Sequence, residues 1–166
     1  MSEIRRETLA VANELLRRLS ARNWSAGTAE SLTGGLLASA IIDVPGSSQR
    51  MRGGVVAYDT TIKHTVLGVD DALLAAEGAV HPDVARQMAL GVRRVLSLAD
   101  EETMVGLATT GIAGPVSPDG QPVGTVHVAV ATPERVVVSS HLFEGDRDEI
   151  RAQSVLAALD LAVAEI

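Results

Sequence analysis

The order in which helical and strand-like patterns follow one another constrains the fold of this chain more than any single motif does. Apolar residues recur at helical spacing over about residues 3–22, and a short strand is predicted near 25–29. Helical and strand patterns keep alternating until Thr125–Ala131, where valines alternate strictly, and 136–141 completes a predicted antiparallel hairpin. Early alternation followed by a hairpin favours a three-layer α/β/α sandwich with a mixed sheet. We therefore predict one α/β domain over residues 1–166.

The remaining elements follow from apolar periodicity and from glycine and proline signals. They are a helix opened by Ser31, a strand at 53–58, short helices within 60–78 separated by Gly68, a helix starting at His81, a strand at 104–109 and a last helix from about Asp146. His127 is out of phase with the valines of its strand, so we expect it on the opposite face of the sheet.

Composition excludes several classes of function. The net charge is −7, no run of basic residues occurs and aromatics make up 2% of the chain, so we expect no nucleic-acid partner. The absence of cysteine removes thiolate metal sites and cysteine nucleophiles, and the four histidines lack metal-ligand spacing, so we expect no metal and no cofactor. Without a signal peptide or a run of about 20 apolar residues, we expect a cytoplasmic protein with no membrane partner.

Ser31 lies where a predicted strand meets a helix, and small residues follow it. A serine in this position is either a helix cap or a nucleophile whose neighbouring amides stabilise an oxyanion during acyl transfer. The spacing leaves both interpretations open. Gly34 and Gly35 either let a ligand approach the backbone or serve close helix–strand packing.

Three further stretches could carry chemistry. Ser47 and Ser48 follow a Pro-Gly turn and either bind phosphate or belong to an ordinary loop. Lys63 follows Tyr58, and a buried lysine could deprotonate a serine, whereas an isolated lysine is more often solvated. A Gly/Pro-rich loop that begins at Thr110 follows a buried strand, where ligands of α/β sheets commonly bind. Near the C-terminus, two arginines four residues apart either bind an anion or pair with local acids: Arg147 and Arg151.

These motifs together resemble one family. They are TAESLTGG (28–35), PGSS (45–48), GGVVAYD (53–59), Lys63, LGV (67–69), GAV (78–80), TGIAGP (110–115), PVGTV (122–126) and GDR with a following Arg (145–151). The chain strongly resembles the CinA C-terminal domain family, the nicotinamide-nucleotide amidohydrolases. The full CinA protein has a larger N-terminal domain, and we expect this chain to be the stand-alone form.

The resemblance implies the fold, the reaction and the site. The reaction is hydrolysis of nicotinamide mononucleotide to nicotinic acid mononucleotide and ammonia, without a metal. Carried over by motif, Ser31 is the nucleophile and Lys63 its base, while Tyr58 is a relay or a ring contact. The pyridinium is expected near Tyr58 or Glu30. Thr110 is implied as a further catalytic residue that lines the pocket. The other implied site residues line the pocket or bind the phosphate: Thr33, Gly34, Gly35, Ser47, Ser48, Gly111, Ala113 and Gly114.

The loop at 116–121 departs most from the family pattern, which bears on substrate preference more than on the reaction. Two alternatives to the amidohydrolase stay open at this point. One is a catalytically silent nucleotide-binding or regulatory module, and the other is an amidase for a different small amide. We also expect a homo-oligomer, with a dimer favoured, because small α/β enzymes often pair.

Overall fold

The computed structural model describes residues 2–117 and 120–166, which form a five-stranded sheet between two layers of helices. The strands are β1 (Ala26–Glu30), β2 (Met51–Val56), β3 (Val105–Gly111), β4 (Thr125–Ala131) and β5 (Val136–Leu142). The helices are α1 (Glu3–Arg22), α2 (Leu36–Ile42), α3 (Thr60–Thr65), α4 (Asp71–Glu77), α5 (Pro82–Val95) and α6 (Arg147–Glu165), and a 3₁₀ turn covers Ser47–Gln49.

The sheet is mixed, with strand order β2-β1-β3-β4-β5. Strand β1 lies between β2 and β3 and pairs in parallel with both, and its residues are buried throughout. Strand β4 runs antiparallel to both of its neighbours, β3 and β5, and β4 and β5 form the predicted hairpin. The α/β fold with a mixed sheet is therefore confirmed.

The two helical layers bury different sets of side chains. On one face, α1, α2 and α6 cover a core that includes Leu15, Leu107 and Leu159. On the other face, α5 packs against β3 and β4, and Leu74 of α4, with Leu67 and Val69 before it, completes a second core around Met88. Alternation along the strands assigns the faces, because Val126, Val128 and Val130 belong to the first core and Ala129 and Ala131 to the second.

Side-chain caps determine where four of the helices begin. The carboxylates of Asp59, Asp70 and Asp146 accept hydrogen bonds from the first-turn amides of α3, α4 and α6. His81 caps α5 through its Nδ1 and Pro82 occupies the first position of that helix, which confirms the predicted start.

Helix α2 begins later than the sequence pattern predicts. We expected a helix from Ser31, but α2 starts at Leu36. Gly34 and Gly35 have φ values of 57° and 99°, in the left-handed region that interrupts a right-handed helix. The segment 31–35 is therefore a turn, and its peptide groups are not part of a helix.

This topology brings the carboxyl ends of β1, β2 and β3 to one edge of the sheet. The segments that follow these strands start at Ser31, Ala57 and Ile112 and meet at that edge. Among the helices of residues 2–117 and 120–166, none has an apolar stretch that could span a bilayer.

Candidate active site

Ser31 is the first residue after β1, and its hydroxyl contacts a lysine amine. Its backbone amide donates to the carbonyl of Thr109 in β3 over 3.0 Å, which fixes the residue at the strand end. Its Oγ accepts a hydrogen bond from Lys63 Nζ at 3.0 Å, and the residue is 8% exposed. Ser31 is not the N-cap of α2, a position held by Gly35. The cap interpretation of Ser31 is thus excluded, and its hydroxyl faces a base.

Lys63 lies in α3 and is 1% exposed, the largest fully buried side chain of the described residues. Besides Ser31 Oγ, its Nζ donates to the carbonyl of Ala57 at 2.7 Å and contacts that of Tyr58 at 3.5 Å. Burial lowers the pKa of Lys63 from 10.5 to about 8, although the nearby carboxylate of Asp59 acts in the opposite direction. At pH 7 the neutral fraction is then about a tenth, roughly 300 times that of an unperturbed lysine. A neutral amine can accept the proton of the serine.

Glu30 has a different role from the one expected. Its side chain is 1% exposed, and its carboxylate accepts hydrogen bonds from the amides of Gly35, Leu37 and Ala38 at 2.9–3.0 Å. Thr28 Oγ1 adds a contact at 3.3 Å. Because its carboxylate is occupied by the start of α2, Glu30 does not reach a substrate pyridinium. The same bonds occupy the amides at the start of α2, so those three amides are not available to an oxyanion.

The turn 31–35 leaves two amides without a partner among the described residues. Gly34 N donates to Ser31 O at 3.1 Å, and Leu36 N donates to Thr33 O at 3.0 Å. The amides of Leu32 and Thr33 have no such bond, and both residues are buried. Buried amides without partners are rare in folded proteins, so these two are the candidate oxyanion donors beside Ser31.

Thr33 contributes its side chain to a buried contact with β3. Its Oγ1 lies 2.8 Å from Thr109 Oγ1, and both residues are fully buried. The motif pattern pointed to Thr110 and did not single out Thr109, although both follow the same strand pattern. Because alternate residues of a strand point to opposite faces, the pattern could have separated the two.

Thr110 lies on the α5 face of the sheet, beside His127 of β4. Its hydroxyl donates to the carbonyl of Ala79 at 2.7 Å and so anchors the segment before α5. His127 is also on this face, as predicted, and its Nδ1 lies 2.8 Å from Ser140 Oγ. Burial lowers the pKa of His127, and His81 and His141 lower it further, which keeps the ring neutral at pH 7.

Tyr58 does not act as a proton relay in this structure. Its side chain is 61% exposed, and its hydroxyl accepts a hydrogen bond from Arg147 Nη2 at 3.2 Å. Only its backbone carbonyl approaches Lys63. The role of a ring contact remains compatible with this placement, because the ring is open to solvent beside the site.

Residues of the loop after β3 that the sequence singled out make structural contacts. Gly111 is the last residue of β3 and pairs with Val126, and Ala113 is buried in the core beneath α6. Gly114 O accepts a hydrogen bond from Arg147 Nη1 at 2.6 Å. Of the 116–121 stretch, Pro118 and Asp119 lie outside the described residues, while Gln121 donates to Val80 O at 3.0 Å.

Ser47 and Ser48 lie at the wrong end of the sheet for a phosphate site at Ser31. They directly precede β2, whose start pairs with the start of β1. The five residues of β1, about 15 Å of extended chain, separate this end from Ser31. Ser47 is buried and its hydroxyl donates to Ile42 O. The turn therefore serves the fold at the amino end of the strands.

Arg147 and Arg151 both reach the site edge from the first turns of α6. Neither pairs closely with an acid. Arg147 bridges Tyr58 and Gly114, while Arg151 donates to the carbonyls of Leu32 and Thr33 at 2.9 and 3.2 Å. The sequence allowed either an anion site or acidic partners for these arginines, but backbone carbonyls are the main acceptors of Arg151.

Comparison with known proteins identifies the family of this chain. The family model described as the CinA C-terminal domain matches residues 8–166. A CinA-like protein of Frankia casuarinae is 48% identical over 147 residues, covering 89% of this chain and 33% of that protein. A putative competence-damage inducible protein of Caldanaerobacter subterraneus is 48% identical over 149 residues, covering 89% of this chain and 35% of that protein. The chain thus spans about a third of the length of these relatives.

Solved structures extend the similarity to three dimensions. A competence damage-inducible protein A from Klebsiella pneumoniae superposes with a TM-score of 0.88 at 31% identity, covering 95% of this chain and 96% of that one. A competence/damage inducible protein from Agrobacterium tumefaciens gives a TM-score of 0.87 at 32% identity, covering 95% and 94%. From the motifs, the fold and these matches together, we conclude that the chain belongs to the CinA C-terminal domain family.

Proposed function

We propose that this chain is a nicotinamide-nucleotide amidohydrolase that uses a Ser31–Lys63 pair. The proposal rests chiefly on the 3.0 Å contact between Lys63 Nζ and Ser31 Oγ, made by an amine whose pKa is lowered to about 8. A serine next to a partly neutral amine is an activated nucleophile suited to acyl transfer. The identity of the substrate comes from the family resemblance of the motifs.

Acylation follows from the contacts of the pair. Neutral Lys63 takes the proton of Ser31 as Oγ attacks the carboxamide carbon, which gives a tetrahedral intermediate. The negative charge on the former carbonyl oxygen is stabilised by the free amides of Leu32 and Thr33. The Lys63 ammonium then protonates the departing nitrogen, the C–N bond breaks, and ammonia leaves a nicotinoyl ester on Ser31.

Deacylation reverses the proton movements. Neutral Lys63 accepts a proton from a water molecule that attacks the ester carbon. The tetrahedral intermediate collapses, the bond to Ser31 Oγ breaks, and Lys63 returns the proton to the serine. Nicotinic acid mononucleotide is released with both side chains in their starting states.

The cationic ring and the phosphate of the substrate have candidate contacts at the same edge. With Glu30 committed to α2, the exposed ring of Tyr58 is the candidate surface for the pyridinium cation. Arg147 lies against Tyr58 and is the candidate for the phosphate, because a guanidinium suits phosphate geometry. Ser47 and Ser48 are not part of this proposal.

The test is ammonia release from nicotinamide mononucleotide by the purified protein in the presence of a chelator. Wild type is measured beside Ser31→Ala, which removes the nucleophile and fills the same space. We expect release by wild type and at least a 10³-fold loss in the variant.

Each outcome separates the candidate functions. Release by both proteins contradicts Ser31 as the nucleophile. Binding of the nucleotide without release, unchanged in Ser31→Ala, supports a catalytically silent nucleotide-binding module. Release from another small amide alone, in a substrate panel, supports an amidase of different specificity.

A further inference from the structure

Two oppositely charged side chains hold the turn 31–35 from different sides. Glu30 binds the amides of Gly35, Leu37 and Ala38 and so fixes the downstream end of the turn. Arg151 comes from α6, more than a hundred residues away in sequence, and binds two carbonyls inside the turn. The catalytic steps proposed above give no role to Arg151.

The contacts of Arg151 define the orientation of one peptide group in particular. Its Nε donates to Leu32 O at 2.9 Å. This carbonyl belongs to the same planar trans peptide group as the amide of Thr33, and the two groups point in opposite directions. A guanidinium that fixes the Leu32 carbonyl therefore also fixes the direction of the Thr33 N–H. That amide is one of the two left without a partner.

The second bond reinforces the first. Arg151 Nη2 donates to Thr33 O at 3.2 Å, so one guanidinium spans two successive carbonyls. The positive charge beside the Leu32 carbonyl also polarises the Leu32–Thr33 peptide group, which makes the Thr33 amide a stronger donor. The only acid near Arg151 in the described residues, Asp148, is 3.6 Å away and 90% exposed, so it competes weakly for the guanidinium.

We propose that Arg151 is a positioning residue that orients the amide of Thr33 toward the oxyanion formed at Ser31. This inference rests on the proposed acyl-transfer chemistry. Arg151 does not touch the reacting atoms. Its loss lets the Leu32–Thr33 peptide group rotate, which weakens stabilisation of the transition state more than binding of the substrate.

The experiment compares Arg151→Met with a matched control, Arg93→Met. Arg93 also donates to two backbone carbonyls, those of Thr103 and Thr132, but at the opposite end of the sheet. We expect kcat for nicotinamide mononucleotide to fall about 100-fold in Arg151→Met, with KM within about threefold of wild type. The control should keep kcat within about twofold. The pH midpoint of the reaction, which Lys63 determines, should not move in either variant.

A rescue measurement distinguishes orientation from general structural damage. In Arg151→Ala, addition of millimolar guanidinium should raise kcat at least tenfold, and the rise should saturate with guanidinium concentration. The kcat of Arg93→Ala should not rise. A rise in KM with unchanged kcat would instead make Arg151 a substrate ligand and overturn the proposal. Equal loss of kcat in the Arg151 and Arg93 variants, without rescue, would overturn it too.

A second probe keeps this test independent of the natural substrate. A fluorophosphonate reacts with an activated serine by displacement of fluoride, and its phosphoryl oxygen needs the same amide donors. The rate of Ser31 labelling, followed by intact mass, should fall by a similar factor in Arg151→Met. If wild type releases no ammonia but labels quickly, the proposed function fails and this rate alone decides the role of Arg151. An unchanged labelling rate in Arg151→Met would refute the positioning role of Arg151.

Discussion

Replacement of Lys63 by methionine should abolish activity and yet stabilise the protein at neutral pH. Lys63 is the only lysine in the chain, and it is 1% exposed. Its pKa is about 8 in the folded protein, against 10.5 for an exposed lysine. Below pH 8 the unfolded chain binds this proton more tightly than the folded one, so the buried amine opposes folding.

The magnitude follows from the difference between the two pKa values. At 1.36 kcal/mol per pKa unit, the shift costs about 3 kcal/mol at pH 7. Lys63→Met removes this cost but also removes the partner of Ala57 O, now bound at 2.7 Å, which costs about 1–2 kcal/mol. The variant should therefore be about 1–2 kcal/mol more stable than wild type at pH 7.

The sign of the difference should reverse with pH. The folded pKa is the lower one, so the stability of wild type rises as pH increases from 8 to 10.5. Above this window the amine is neutral in both the folded and the unfolded chain, so the pKa difference no longer opposes folding. The amine keeps its hydrogen bonds, and Lys63→Met should then be the less stable protein by about 1–2 kcal/mol. Any other titration is common to both proteins and cancels in the difference.

Urea unfolding of both proteins at intervals from pH 7 to 10.5, followed by far-UV circular dichroism, measures this difference. Ser31→Ala is the matched control, because it removes a partner of Lys63 but leaves the titrating amine. Its stability should follow the pH slope of wild type. A difference between wild type and Lys63→Met that stays constant across the pH range would refute the assignment of a buried, pKa-shifted lysine.

The remaining predictions concern the site. The value of kcat/KM for nicotinamide mononucleotide should rise about tenfold per pH unit below 8 and level off above it, since neutral Lys63 is the base; a profile flat from pH 6 to 9 would exclude that role. Glu30→Gln should lower the free energy of unfolding by roughly 2–4 kcal/mol, because an amide nitrogen would face donors of α2. Chemical denaturation tests this, and a loss below about 0.5 kcal/mol, the size of an ordinary surface substitution, would contradict it. Tyr58→Phe should change KM with little effect on kcat, because the Tyr58 hydroxyl binds Arg147 and not Lys63. A fall in kcat of about 100-fold, measured by steady-state kinetics, would instead support a proton-relay role for Tyr58.

The sequence predicts the fold well because its elements are set by local signals. Val126, Val128 and Val130 mark a strand face, and Asp146 starts a helix, without help from distant residues. The start of α2 is the exception. Its apolar pattern extends back toward Ser31, but two glycines with positive φ and the carboxylate of Glu30 hold that stretch as a turn.

Site residues that depend on contacts across the fold were harder to predict. The motifs single out Ser31 and Lys63, whose contact joins residues 32 positions apart, and the family resemblance assigns their roles. No local pattern shows that Glu30 points into α2, or that Arg151 reaches carbonyls 118 and 119 residues away. Ser47 and Ser48 were misplaced because turn composition does not reveal at which end of the sheet a turn lies.

The buried amine of the candidate active site also gives the chain an unusual reactivity toward lysine-specific reagents. Because every other basic side chain is an arginine, a lysine-specific endoprotease has one internal target, the peptide bond after Lys63 in α3. Cleavage there requires α3 to open, so the rate of proteolysis reports local unfolding of the candidate active site. Acylating reagents for amines should likewise leave the folded surface unlabelled apart from the chain terminus. Their slow reaction at Lys63 would then measure how often the Ser31–Lys63 pair becomes exposed.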